Sequence, residues 1–361
     1  MPLYSAEAYI NTQYLLDNFQ TLRGKSSNAY TTIAMVKGNA YGHGLIEVCN
    51  VLAPYSEYFG VASLDEGIKV RLSGIKTKII VFSGFFHAGH VEDLIQYHLI
   101  PIVHSEYQVD LLDAYFQNKH SEIWLKVNTG MNRLGFSVEK FHKIYEQLSS
   151  RHAEHGISVI THLAESEVED DFFTKVQLEH FKVAMSGKRF SHLSIGNSAA
   201  ILNADKMPDC NTIRPGISMY GISTLYSAEG RKALKPVMSF QSRVVAIQHI
   251  LKGESIGYNR TYIANQDMKI AVIPIGYGDG YPQNAPNGTP VLVNGYRCEM
   301  VGRISMDMMT VDITHIGQVK MLDSVVLWGE ALPVEEVAEA IGVSPYALVT
   351  NLADRVRRIY L

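Results

Sequence analysis

Short apolar, β-branched runs alternate with amphipathic stretches through the first part of the chain. Thr31–Val36 is followed by Tyr58–Ser63, Lys78–Gly84, Leu99–Ser105, Glu122–Gly130, Ser158–Ser166, His192–Asn197 and Thr212–Gly221. Runs of this length and composition predict buried strands. The intervals between them, such as Leu64–Leu72 and Val138–Leu148, carry apolar residues at helical spacing. Leu15, Leu16, Phe19 and Leu22 predict a further helix over Tyr9–Arg23, ahead of the first run. Strands that alternate with helices pair in parallel, and about eight such units close into a (β/α)8 barrel of the TIM type. Barrel active sites lie at the C-terminal ends of the strands. In such a barrel those ends would bring Lys37, Arg133, His162, Asn197-Ser198 and Arg214-Pro215-Gly216 within reach of one another despite their sequence separation.

After Leu234 the texture changes. Val237–Leu251, Lys269–Pro274, Pro290–Val293, Cys298–Val301, Met309–Ile313 and Ser324–Leu327 read as strands divided by turns such as Asn287-Gly288 and Asn294-Gly295. Pro333–Gly342 reads as a short helix. The expected organisation is therefore an α/β chain in two domains. Residues 1–233 form the barrel and residues 234–361 a mainly β domain, with the first few residues free to pair with the second domain.

Composition narrows the function. A net charge of -4 gives no reason to expect nucleic acid or an anionic membrane as partner, and no apolar run is long enough to span a bilayer. The N-terminus lacks a basic start followed by an apolar block, so no signal peptide is expected. Three scattered cysteines, Cys49, Cys210 and Cys298, argue for a reducing compartment and against a disulfide framework or a cysteine-rich metal site. The expectation is a cytoplasmic protein with no metal centre.

The first run ends in Lys37 and breaks at once into Gly38-Asn39-Ala40-Tyr41-Gly42-His43-Gly44. A lysine closing a buried strand either snorkels its head to solvent or is held desolvated, and a neutral amine is a nucleophile. The glycines allow a tight turn and close approach of a ligand. Ser198 and its neighbours start a helix, which is either an ordinary capped N-terminus or a phosphate site. Gly216 and Ile217 offer backbone amides at another strand end. Arg133, between Gly130 and Gly135, is either a carboxylate clamp or a surface arginine. His162, among Val159, Ile160 and Leu163, reads on its own as a structural histidine. Gly276-Tyr277-Gly278-Asp279-Gly280 lacks the spacing and context of a dinucleotide-binding fingerprint.

These separate signals coincide in AMVKGNAYGHG (Ala34–Gly44), LKVNTGMNRLGF (Leu125–Phe136), GNSAA (Gly196–Ala200), RPGISMYG (Arg214–Gly221), IGYNRTY (Ile256–Tyr262), IGYGDGYP (Ile275–Pro282) and VGRISMDMMTVD (Val301–Asp312). In this order they resemble the fold-type III alanine racemases along nearly the whole chain. The resemblance implies pyridoxal 5'-phosphate carried on Lys37. It also implies interconversion of L-alanine and D-alanine by two bases, supplying D-alanine for peptidoglycan synthesis. Lys37 would serve the face of D-alanine and Tyr258 that of L-alanine. A free phenol titrates near ~10, so such a base needs cationic surroundings. The same likeness assigns Tyr41, Ser198, Gly216 and Ile217 to the cofactor phosphate, and places Arg214 and His162 around the cofactor ring. It assigns Arg133 and the amide of Met306 to the substrate carboxylate. Tyr258 and Met306 would come from the second chain of a homodimer with shared active sites.

The chain also departs from the pattern. Asp354 stands where some members have a tyrosine near the phosphate, Arg357 where a proline is usual, and Gln283 where an arginine is frequent. Ser305 replaces a common cysteine, and Asn128 a common aspartate. Lys126 matches a lysine that is carbamylated in several members. Three readings compete with the main one: a racemase of serine, a related amino-acid decarboxylase and a non-enzymatic pyridoxal-phosphate carrier. The paired Lys37 and Tyr258 favour two-face proton transfer over decarboxylation, and the second domain, with its motifs, disfavours the carrier.

Overall fold

The computed structural model describes residues 6–25, 31–116, 122–151, 156–168, 172–203, 210–223 and 234–361. Strand β1 (Glu7–Ile10) precedes the barrel strands β2 (Thr31–Met35), β3 (Tyr58–Val61), β4 (Lys78–Val81), β5 (Leu99–Val103), β6 (Ile123–Lys126), β7 (Ile157–Ile160), β8 (Leu193–Ser194) and β9 (Thr212–Ile213). These eight are hydrogen-bonded in sequence order and close on themselves. Every neighbouring pair is parallel, and closure is made by Thr31 opposite Thr212 and Thr32 opposite Ile213. β3, β5, β6 and β7 are buried at every position, as expected of strands walled by side chains on one face and helices on the other.

The second domain contributes β10 (Met238–Arg243), β11 (Ala246–Ile250), β12 (Ser255–Ile256), β13 (Tyr262–Ile263), β14 (Met268–Ile273), β15 (Pro290–Val293), β16 (Tyr296–Met300), β17 (Met309–Asp312), β18 (Ser324–Trp328) and β19 (Arg357–Tyr360). β12 and β13 pair alone. The others form one sheet in the order β11-β14-β17-β16-β15-β18-β10-β1-β19. β1 is antiparallel to β10 and parallel to β19. Helices Val334–Ile341 and Pro345–Thr350 lie between β18 and β19.

Two expectations need correction. Tyr9 and Ile10 are strand, and the helix runs over Thr12–Lys25. Glu7–Ile10 alternates half-buried and buried positions, a strand period that the helical spacing of the leucines beyond it overshadows. Val237–Leu251 is two strands, because the chain turns between Arg243 and Ala246 and the second part pairs with β14. The expected boundary at residue 233 lies outside the described residues.

A buried asparagine ties the barrel to the segment entering the second domain. Asn18 Nδ2 donates to the carbonyls of Met219 and Lys235 at 3.1 and 2.8 Å, and Asn18 Oδ1 accepts from Lys235 N at 2.9 Å. Asn18→Leu removes all three bonds and leaves the backbone partners dry, at about 1–3 kcal/mol for each unsatisfied group. Urea titration should show the variant less stable by about 2–4 kcal/mol; an unchanged midpoint would remove this residue from the joint between the domains.

Candidate active site

Lys37 follows β2, and the chain then winds the opposite way from an ordinary helix. Gly38, Asn39, Ala40 and Tyr41 have φ of 64°, 54°, 53° and 52° in succession. Left-handed backbone costs about 1–2 kcal/mol at each non-glycine residue, so the turn persists only under restraint. Ala40 N donates to Val36 O and Gly42 N to Gly38 O. Asn39 Oδ1 accepts from Leu45 N at 2.8 Å, which starts the next helix. His43 Nδ1 lies 2.8 Å from Tyr41 O and is the donor, since a carbonyl only accepts. Burial holds that imidazole neutral, with its pKa down to about 4.

The second domain closes on the same turn. Arg358 Nε donates to Gly42 O at 2.7 Å, and Tyr360 Oη to His43 O at 3.1 Å. Gly42 must be glycine: its φ is +82° and a Cβ would lie 1.8 Å from Val349 O on helix Pro345–Thr350.

Lys37 opens on a cleft of about 660 Å³, mouth included, at the C-terminal ends of the barrel strands. The cleft gathers Tyr41, Lys126, Arg133, His162, Ser198, Arg214, Gly216 and Ile217 from five barrel loops and strands. One end is an anion cradle. Ser198 Oγ accepts from Gly216 N at 2.9 Å and Ser218 N at 3.3 Å, and a helical turn starts at Ile217. A Cβ on Gly216 would stand 2.9 Å from Tyr41 Oη, so only glycine leaves that space open. Tyr41 is buried, and its hydroxyl has no partner among the described residues. Burial pushes its pKa far up, so it is a permanent donor. The Ser198 hydroxyl, the Tyr41 phenol and the amide of Ile217 around an open glycine make a donor set suited to phosphate.

The other end is cationic. Arg214 is buried; Nη1 donates to Ser194 Oγ at 2.6 Å and Nη2 to the carbonyls of Thr161 and Ile195 at 2.9 and 3.0 Å. Burial lowers its pKa to about 10, which leaves it protonated at neutrality, and none of these bonds uses Nε. His162 Nδ1 sits 3.3 Å from Arg214 Nη2. Desolvation first, then the nearby cations, hold it neutral with a pKa of about 3. Water reaches Lys37 through the mouth of the cleft. Protein still crowds the ammonium enough that desolvation, then Arg133, lowers its pKa. Lys126, on β6 and buried, is pushed down to about 8 by desolvation and by Arg133, Arg214 and Lys37. Arg133 is exposed at the rim on a loop that Asn128 organises, its Oδ1 accepting from the amides of Gly130 and Asn132.

Tyr258 and Met306 are not in this chain's cleft. They are 67% and 53% exposed on the second domain. Their loops adjoin: Gly257 packs so closely on Arg303 that a Cβ would lie 3.0 Å from its amide. Asp354 and Gln283 are exposed and also outside the cleft. Tyr346, which sequence reasoning passed over, reaches the cleft from helix Pro345–Thr350 and lies 6.0 Å, ring to ring, from Tyr41. A single tyrosine after a proline carries no signal of that placement. Among the described residues no helix is long and apolar enough to cross a membrane, and no cluster of three or more His, Cys, Asp or Glu side chains could hold a metal ion.

A closed parallel barrel with a lysine of lowered pKa just past a strand end, an anion cradle beside it and a β domain bonded to the turn between them defines a barrel-plus-β-domain protein with a cationic, anion-receptive cleft. Comparison with known proteins fixes the family. Residues 10–224 match the family model described as "Alanine racemase, N-terminal domain", and residues 237–360 the one described as "Alanine racemase, C-terminal domain". An alanine racemase of Coxiella burnetii is 38% identical over 361 residues, covering 98% of each chain. One from Shewanella loihica is 40% identical over 351 residues, covering 97% of each. Among solved structures, the biosynthetic alanine racemase of Pseudomonas aeruginosa superposes with a TM-score of 0.94 at 33% identity, covering 99% of this chain and 100% of its own. The alanine racemase of Bartonella henselae, with covalently bound pyridoxal phosphate, gives 0.90 at 27% identity, covering 99% of each chain. The chain belongs to the alanine racemase family.

The buried ammonium of Lys126 should register in stability. Its folded pKa lies below the unfolded value of about 10.4, so between about pH 8 and that value the unfolded chain binds more protons and stability rises with pH. In carbon dioxide-free buffer without added cofactor, Lys126→Met should therefore be more stable than the native chain at pH 7, by up to about 3 kcal/mol. The difference should shrink as pH rises through that window. A pH-independent difference would mean that the ammonium is not desolvated.

Proposed function

We propose that this chain is a pyridoxal 5'-phosphate-dependent alanine racemase. It interconverts L-alanine and D-alanine, supplying D-alanine for peptidoglycan synthesis, and works as a homodimer with shared active sites in the cytoplasm. The observation that carries the reading is Lys37 opening on the same cleft as a phosphate-type cradle. The family, and the bound cofactor of the Bartonella henselae relative, support it. Buried Cys49 and Cys298, neither in a disulfide, accord with a reducing compartment.

The residues present suit the cofactor. Tyr41, Ser198 and the amides of Gly216 and Ile217 would hold its phosphate, Lys37 its aldehyde end, and Arg214 and His162 would face its ring. When bound, the cofactor supplies an electron sink that makes the α-proton of an amino acid removable. This chain supplies the proton handling. The lowered pKa of Lys37 enlarges its neutral fraction, so the amine can take a proton on one face of the carbon. The phenol of Tyr258 from a second chain would serve the opposite face. The guanidinium of Arg133 would bind the substrate carboxylate, aided by the Met306 amide of that second chain. Arg214 is protonated and only donates, so it cannot take a proton from whatever it faces. Lys126, with a neutral fraction near physiological pH, is suited to carbamylation: its nitrogen adds to carbon dioxide and loses a proton, and the resulting anion would draw Arg133 into place.

The shared site rests on exposure. Tyr258, Met306, Met308, Ile263 and Tyr277 are all exposed on one domain, and Tyr258 and Met306 lie outside their own chain's cleft. A second copy would bury them and complete both sites.

Purified protein with added cofactor should bring either enantiomer of alanine to an equal mixture by chiral chromatography. It should act far more slowly on serine and lysine, and Lys37→Ala should lose activity by about 10³-fold or more. Loss of carbon dioxide from any substrate, or faster turnover of serine, would replace the reading. After subunit exchange between equal amounts of Lys37→Ala and Tyr258→Phe chains, each nearly inactive alone, about half of the dimers are mixed with one site of two intact, so the mixture should recover about a quarter of native activity. No recovery above the two parents would end the shared-site proposal.

A further inference from the structure

Ser63-Leu64-Asp65-Glu66 opens the helix Leu64–Leu72 in the pattern of a capping box, in which the acidic residue normally reaches back to the N-cap amide. Ser63 does its half, accepting from Glu66 N at 3.3 Å. The Glu66 carboxylate is spent elsewhere. Its Oε1 accepts from Gly38 N at 2.7 Å and Asn39 N at 3.3 Å, the first two amides of the left-handed turn. Its Oε2 accepts from Ala62 N at 2.8 Å, just past β3. One carboxylate thus staples the end of β2 to the end of β3, immediately beside the cleft lysine.

We propose that Glu66 is a positioning residue of this site: it clamps the left-handed turn by its leading amides and sets its negative charge against the cations that crowd the Lys37 amine. Those cations come from several elements. Arg133 stands on the loop after β6, Arg214 after β9 and Lys126 on β6, while neutral His162 follows β7 and Tyr41 ends the turn itself. Desolvation first, then Arg133 and Arg214, lower the pKa of Lys37, and Glu66 raises it. Without that carboxylate the amine would face an uncompensated field, and the amides of Gly38 and Asn39 would lose their acceptor.

Glutamine cannot replace it. One end of an amide is a donor, so either the Ala62 amide or the pair at Gly38 and Asn39 meets an N–H instead of an oxygen. Aspartate keeps the charge but is one methylene too short to reach all three amides. The two variants therefore separate charge from reach.

The inference rests on the racemase reading only for what the Lys37 amine is used for, and its test needs no cofactor. In the chain freed of cofactor, the rate of Lys37 acylation by an amine-reactive ester is followed against pH by peptide mass spectrometry. Deuterium uptake is followed on the peptide holding Gly38 and Asn39. In Glu66→Gln the Lys37 titration should move to lower pH, and exchange at the turn should quicken by about tenfold or more. In Glu66→Asp exchange should quicken while the titration stays near native. If Glu66→Gln lowers the melting temperature but leaves both the titration and the exchange unchanged, Glu66 is merely a structural residue and the proposal falls. It also falls if the two variants shift the titration equally. Should the glutamine variant not fold, the aspartate variant alone decides: unaltered exchange at Gly38 and Asn39 overturns the clamp. A native chain that fails to racemise alanine would sink the proposed function while leaving these readouts intact.

Discussion

The left-handed turn from Gly38 to Tyr41 is the constraint on which the cleft depends. It places an amine and a phenol, four residues apart, on one wall of the same cavity. A right-handed turn would carry the side chains around the opposite screw. The conformation is unfavourable at Asn39, Ala40 and Tyr41, so it exists only because its surroundings over-determine it. Glu66 holds its first amides, Val36 its third, His43 the carbonyl of its last residue, and the backbone of Val349 leaves room only for a glycine beyond it. Strain at one point is met by bonds drawn from both domains.

The charge arrangement has the same character. Lys37, Lys126, Arg133 and Arg214 converge on one cavity, and each lysine loses part of its affinity for a proton first through desolvation and then through the two arginines. Four cations offset by the Glu66 carboxylate leave a positive excess, which makes the cavity receptive to phosphate and carboxylate groups and turns ligand binding into relief of the remaining repulsion. The neutral His162 fits the pattern, because a charged imidazole beside Arg214 would add to the excess.

Much of this was legible in the chain. The barrel showed itself because parallel strands buried on both faces leave continuous apolar runs, and each of the eight runs overlaps an observed strand. The break after β2 was visible because Lys37 interrupts the apolar run two residues past the strand's last residue, Met35. β1 was not legible: four residues of strand period next to a strong helical period are overruled by their neighbour, and the partners that make them a strand lie more than 200 positions away. Glu66 was hidden for a related reason, since Ser63-x-x-Glu66 has a sufficient local explanation that the structure does not use. Tyr346 had no local signal. Tyr258 and Met306 came from family resemblance alone, because exposed residues on a β domain reveal nothing about a cleft they do not line in their own chain.

The bonds from Arg358 to Gly42 and from Tyr360 to His43 span 316 and 317 positions. Synthesis runs from the N-terminus, so every barrel strand has left the ribosome well before these two side chains are made. During that interval a nascent barrel can form its sheet, whose neighbours are close in sequence, yet the turn beside its lysine lacks two of its restraints. Assembly of the scaffold and completion of the chemistry are thereby separated in time. The turn beside the amine gains its last two restraints only after the second domain has been made and has docked.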